Sequence, residues 1–243
     1  MGRPAANTGL EGAAVKQRND WLDLWRSLAV LTMLVFHALW DLELFGVLTA
    51  GTMETPAADV VRYLGGGSFI LISGMLVLRS RDGLRRGFRI FCVGFAVAAV
   101  TALIGLPVKF GILQLLGVCM MGCSALRERL AKLPRGPFAC VFLLLFGAFW
   151  YATERIVPPW NWLYPLGFRR ADFVSADYWP LLPWALLYLF GTQIAPRLFE
   201  SGAVGRRLPA ALTFLGRHSL VIYLAHQPVF YGLCLLFLRK TTG

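Results

Sequence analysis

Three side chains in the first apolar stretch are the ones whose types and spacing can do chemistry. The string Trp25-Arg26 leads, through an uncharged and mostly apolar segment, to Phe36-His37-Ala38-Leu39-Trp40-Asp41. On a helix, the eleven residues from Arg26 to His37 measure about 16 Å along the axis. With Arg26 at one boundary, His37 then lies about halfway through a hydrocarbon core about 30 Å thick. An ionisable group at that depth costs about 2.5 kcal/mol or more when charged, and packing alone would be served by leucine. Asp41 follows one turn later on the same helix face. A carboxylate beside an imidazole fixes its tautomer and raises its basicity, which is what a general base needs. His37 and Asp41 are therefore the candidate catalytic pair. Asp41 equally suits an ordinary acid at a helix end. Arg26 suits either an anion contact or snorkelling beside Asp23, three residues earlier.

A second group stands in Leu215-Gly216-Arg217-His218-Ser219-Leu220-Val221-Ile222-Tyr223-Leu224-Ala225-His226-Gln227-Pro228. Arg217 and His218 open the segment, where they can meet a phosphate or simply hold topology. Ser219 and Tyr223 share a face, and His226 lies at membrane depth with polar Gln227 beside it. Small residues in Gly65-Gly66-Gly67-Ser68 and Ser73-Gly74 let a helix or a thin ligand approach the backbone closely. Ser73, Tyr223, His226 and Gln227 are the expected lining of a substrate pocket. Cys92, Cys119, Cys123, Cys140 and Cys234 all sit inside apolar runs, which speaks for packing and against a disulfide framework. Cys119 and Cys123 have no histidine or carboxylate near them in sequence, so no metal site is expected. The chain holds no GxSxG, Walker or HExxH string, which speaks against an α/β-hydrolase, a P-loop NTPase or a zinc protease.

The elements that position these groups follow from composition. Of 243 residues, 57% are hydrophobic and only 15% charged, against about 25% charged in soluble domains. The mean hydropathy is +0.62. This describes an all-α, polytopic integral-membrane bundle. Apolar runs near 22–47, 60–78, 87–106, 110–126, 138–153, 179–199 and 212–238 predict about seven transmembrane helices, the last with room for a short interfacial helix before its span. Residues 1–20 read as a disordered cytoplasmic tail and 21–240 as one transmembrane domain. Arginines crowd the loops around 79–89, 127–135 and 197–217, while acids and few cations mark the alternate loops. The basic side is expected to be cytoplasmic, with the N-terminus on it. The net charge of +11 is scattered between apolar runs and forms no face for nucleic acid. The long loop 154–178 carries Trp160, Trp162, Tyr164 and Tyr178, aromatics that suit an interfacial belt or a sugar ring.

Five strings in order resemble the heparan-alpha-glucosaminide N-acetyltransferase catalytic-domain family, its small bacterial members in particular. They are Leu22 to Gly46, Phe69-Ile70-Leu71-Ile72-Ser73-Gly74, Phe110-Gly111-Ile112-Leu113 with Gly117, Asp177-Tyr178-Trp179-Pro180-Leu181-Leu182-Pro183-Trp184, and Leu215 to Pro228. Arg26 and His37 are also similar to the wider membrane acyltransferase-3 group, in which this histidine is taken as the catalytic base. Ser27 stands where the family usually has glycine, and Gln114 where it often has histidine, so no acid–base role is carried to Gln114. The resemblance implies a membrane acyltransferase. It would move an acyl group, expected to be acetyl, from acyl-CoA (acetyl-CoA) to a sugar amine or hydroxyl that is extracytoplasmic or lipid-linked, in a bacterial inner membrane. Arg26, Arg217 and His218 would hold the donor's phosphates. Tyr223 and His226 would line the pocket or stabilise the oxyanion. The alternative is a small transporter or proton-coupled channel that uses His37, Asp41 and His226 as a relay.

Overall fold

The computed structural model describes residues 19–200 and 208–237. Within them the chain is helical, with short loops except for the long connection 156–180. The helices are α1 (Asp20–Leu44), α2 (Pro56–Val77), α3 (Gly83–Leu103), α4 (Ile112–Ala125), α5 (Arg127–Lys132), α6 (Arg135–Arg155), α7 (Leu181–Glu200), α8 (Ala210–Arg217) and α9 (Ser219–Phe237). Local chemistry sets several of their ends. Asn19 caps α1 by accepting from the Leu22 N–H at 3.3 Å. Thr55 caps α2, with Pro56 in the first turn, where its missing N–H is no loss.

Among the described residues, five helices are long and apolar enough to cross a membrane: α1, α2, α3, α6 and α9. Helix α4, with 14 residues, reaches about 21 Å, short of a core about 30 Å thick. Each of the seven apolar runs contains a helix. The last run divides at His218, whose φ of −107° and ψ of 16° leave the helical region, into short α8 and longer α9. Helix α7 takes its regular course only after Leu182, which is non-helical and is joined to Pro183 by a cis peptide bond. The basic loop after α4 forms the extra short helix α5. Asn19 and Asp20, read from sequence as the end of the tail, are the cap and first residue of α1. The rest of that tail, with Arg3, Lys16 and Arg18, lies outside the described residues, as do Arg206, Arg207, Arg239 and Lys240.

Helix α2 is the centre of the bundle. It packs against α1, α4 and α7, while α3 packs on α4, α6 on α7, and α8 and α9 on α1. Glycine makes the α2–α7 contact possible. A methyl group on Gly74 would run into the Tyr188 carbonyl, and one on Gly191 would sit 2.6 Å from the Leu71 carbonyl. Two backbones thus touch directly, as small residues allow between membrane helices. Around this line lie the fully buried Ile70, Leu115 and Tyr188. Outward, the surface is apolar: Leu103 on α3 and Leu144 on α6 are 87% and 74% exposed. Such a surface is unfit for water and suited to lipid.

The start of α1, the end of α2, the start of α3 and the end of α4 lie at one end of the bundle. The Arg127 guanidinium ties that end together by donating to the Leu78 carbonyl. This end carries the arginine-rich loops and is called the basic end below.

Candidate active site

One cavity of about 720 Å³ runs through the bundle. Its walls draw on α1, α2, α3, α4, α8, α9 and the loop before α7. Arg26, Arg86, Arg89, Arg217 and His218 line it at the basic end, and Met53, Glu54, Arg62 and Asp177 line it at the opposite end. His37, Ser73 and Tyr223 also face it.

His37 is half-buried on α1. Its Nδ1 lies 2.9 Å from the Met33 carbonyl oxygen. A carbonyl only accepts, so Nδ1 holds the proton of the neutral ring and Nε2 is left as the proton acceptor. The ring meets that of His226 edge-on, with centroids 4.7 Å apart. His226 is buried on α9 and repeats the pattern: Nδ1 is 2.6 Å from the Tyr223 carbonyl, and Nε2 has no partner among the described residues.

Asp41 does not orient His37 through any described bond. Side chains on a helix lean toward its N-terminus, so the imidazole turns back to the carbonyl one turn earlier and away from the carboxylate one turn later. Asp41 instead accepts from Gln227 Nε2 at 2.9 Å, which joins α1 to α9. It is 1% exposed, and its second oxygen, like Gln227 Oε1, is buried without a partner among the described residues. Asp41, His226 and Gln227 stand behind the cavity wall, whereas Ser73 and Tyr223 form part of it.

Asp177 is a functional candidate that the reading of single residues missed. Its Oδ2 accepts from the Ile112 N–H at 3.0 Å and from the Tyr223 hydroxyl at 3.3 Å. It thereby joins the start of α4 to α9 at the cavity wall. Burial pushes this carboxyl above the usual carboxylate range, against the pull of those donors. The loop that carries it is pinned in turn: Ser175 Oγ donates to the Asp177 carbonyl at 2.7 Å and accepts from the Lys109 N–H at 2.8 Å. The available signal was an acid immediately before the aromatic string Tyr178-Trp179. The Trp179 ring lies so close over Gly66 that any side chain there would overlap it.

Of the aromatic loop, Tyr178 reaches the site. Its hydroxyl donates to the Tyr164 carbonyl at 2.7 Å, and burial pushes the phenol up to about 12. It lines both the main cavity and a neighbouring one of about 190 Å³ walled by Tyr63, Trp150 and Trp184. Trp160 and Trp162 stack on each other at 6.2 Å and line neither cavity.

At the basic end, two of the expected anion contacts are already paired. Arg26 lies 3.1 Å from Asp23. Arg217 lies 3.0 Å from Asp20 and 3.6 Å from Asp23. Around them, Ser27 Oγ accepts from the Gly216 N–H at 2.8 Å and donates to the Asp23 carbonyl at 3.0 Å. His218, exposed, turns Nδ1 to the Phe214 carbonyl at 3.0 Å. Arg86 and Arg89, one turn apart on α3, line the same cavity. From sequence alone they count only toward orientation. Among the described residues, no group of three His, Cys, Asp or Glu side chains comes together to hold a metal.

The site can hold an elongated substrate, with cations at one end, a proton-accepting imidazole along its wall, and a buried carboxyl with aromatics at the other. No curated protein and no solved structure matches the chain. The family model described as heparan-alpha-glucosaminide N-acetyltransferase, catalytic, matches residues 18–228. That span takes in both ends of the cavity and the imidazole between them. The protein is an integral membrane protein that belongs to the heparan-alpha-glucosaminide N-acetyltransferase catalytic-domain family.

Proposed function

We propose that the protein transfers an acyl group, acetyl first among them, from acyl-CoA to the amine or hydroxyl of an extracytoplasmic or lipid-linked sugar. One observation carries this reading: a single cavity is lined from the basic end to the opposite end and has His37 on its wall. A donor and an acceptor that approach from opposite ends can meet there. With the basic end cytoplasmic, soluble acyl-CoA enters past Arg26, Arg217 and His218. The acceptor enters past Asp177 and Tyr178, where aromatic faces suit a sugar ring. In a bacterium, the inner membrane is the site of such a reaction.

In the step itself, His37 Nε2 takes the proton from the acceptor nitrogen or oxygen as that atom attacks the thioester carbon. The C–S bond breaks, and the leaving thiolate takes the proton back from the imidazolium. The products are the acylated sugar and free CoA thiol. The Tyr223 hydroxyl lines the same cavity and is held only by a long 3.3 Å bond to Asp177; turned from Asp177, it would donate to the developing oxyanion. Asp41 acts at one remove: through Gln227 it sets α9, and so His226, against α1.

The test is transfer by the purified protein in detergent, with acetyl-CoA and glucosamine as probes, read as N-acetylglucosamine formed and thiol released. Formation in the parent and its loss in His37→Asn is the expected result. No transfer in the parent, together with proton flux into vesicles that depends on His37, would replace this reading with the transporter one.

A further inference from the structure

The basic end holds two sets of arginines in different electrostatic states. Arg26 and Arg217 contact Asp23 and Asp20 at 3.0–3.6 Å. Among the described residues, each of these two guanidinium groups therefore faces a carboxylate. The Arg217 contacts also tie α1 to α8, as do the Gly216–Ser27 bond at 2.8 Å and the Leu208 N–H donated to Asp20 at 3.0 Å. A methyl group on Gly216 would collide with the Asp23 carbonyl, so the two backbones are already in contact. This arrangement is that of a latch.

Arg86 and Arg89 differ. They are three residues apart on α3 and so share a face, and both line the cavity. No acid pairs with either among the described residues. Both are exposed, as is Arg85, which does not line the cavity. The face they present is held in place: a side chain on Gly83 or Gly87 would strike Ser124 or Met121 of α4. That close α3–α4 contact turns positions 86, 89 and 90 toward the cavity.

We infer that Arg86 and Arg89 form the phosphate-binding clamp for the acyl donor, and that Arg26 and Arg217 form a latch that shapes the mouth. This rests on the acyl-CoA reading above and assigns its binding charge to α3. Coenzyme A offers a 3′-phosphate and a diphosphate. Guanidinium forks bind such oxygens in pairs, and a cation not already neutralised attracts them most. An anionic lipid headgroup carries the same phosphate chemistry, so lipid composition enters the test.

Binding of acetyl-CoA is measured for the parent in phosphatidylcholine nanodiscs, alone and with phosphatidylglycerol added. The same is done for Arg86→Gln, Arg89→Gln, the pair together, and Arg85→Gln as a charge-matched control. The double variant should raise Kd at least about tenfold, the scale of one lost charge-assisted bond. Arg85→Gln should stay within about twofold of the parent. The S-acetyl thioester of pantetheine, which lacks the nucleotide phosphates, should distinguish parent from double variant far less. If the double variant does not fold, a severalfold rise in each single variant supports the clamp. Parental affinity in the variants overturns it, as does an equal loss in Arg85→Gln. An effect of the variants on acetyl-CoA affinity that is seen only with phosphatidylglycerol present overturns it too, in favour of a lipid contact. A parent that binds no acetyl-CoA overturns the acyl-donor reading itself, which is a different result from binding that ignores α3.

Discussion

His37→Asn separates the two nitrogens of one ring. In the parent, Nδ1 donates to the Met33 carbonyl at 2.9 Å, and Nε2 is the atom left to accept a proton. An asparagine amide nitrogen reaches about where Nδ1 stood and can keep the bond to that carbonyl, but it offers nothing at Nε2. The substitution therefore removes the base and spares the local hydrogen bond. Loss of a general base lowers turnover about 10²–10⁴-fold, or about 2.7–5.4 kcal/mol of activation free energy. The melting temperature should move little. Asp41→Asn is the sharp contrast. Asparagine at 41 still accepts from Gln227, and its new N–H₂ can serve the unpartnered Gln227 Oε1, so activity should stay near the parent's. Gln227→Leu removes the partner instead. It leaves the 1%-exposed Asp41 without its described donor, for about 1.5–3 kcal/mol if the carboxyl is charged, read as a lower melting temperature. The assay is thiol release from acetyl-CoA with glucosamine present, beside equilibrium donor binding. His37→Asn at the parental rate refutes the general-base argument. An Asp41→Asn enzyme as slow as His37→Asn refutes the geometry, because Asp41 would then act on the imidazole directly.

Three further outcomes are expected. Ser27→Ala strips the buried Gly216 N–H of its acceptor, for about 1–3 kcal/mol; thermal unfolding in detergent should show it, with Arg217→Gln shifted the same way. Asp177 holds its proton to higher pH in the folded chain than it would unfolded, because it is buried. Its contribution is thus complete below about pH 4, the free carboxyl value, and fades as pH rises through the raised folded value. Melting curves from pH 4 to 8 should therefore fall relative to those of Asp177→Asn, and parallel curves would contradict this. On topology, a cysteine at exposed Val174 should react with an impermeant thiol reagent from outside intact cells and one at Arg81 should not; the reverse pattern would invert the donor side.

The helices were legible in the sequence because a bilayer leaves a backbone no other hydrogen-bond partners, so every apolar run had to coil. His37 was legible for the same reason in reverse: an imidazole in such a run has no packing excuse. Long-range pairings were not. Gln227 lies 186 residues from Asp41, and nothing local names one as the other's partner. Arg86 and Arg89 read as loop charges because the face they present is set by Gly83 and Gly87 against α4, a tertiary contact. Asp23 beside Arg26 could be read at three residues' spacing. Asp20 against Arg217 could not, and that second pairing is what sets Arg217 apart from Arg86 and Arg89. Asp177 hid in a loop, where no periodicity marks an inward-facing residue.

The outer faces of α3 and α6, where Leu103 and Leu144 stand almost wholly free of protein contact, impose one requirement on evolution: stay greasy. Leucine, valine, phenylalanine and isoleucine serve almost equally there, because each is as apolar as the lipid tails it meets. The touching backbones at Gly74 and Gly191 leave no room for a side chain. A lineage built this way loses overall identity quickly and keeps a few short strings. Kinship between its distant members is then carried by islands such as Phe69–Gly74 and Asp177–Trp184, set in a sea of interchangeable apolar letters.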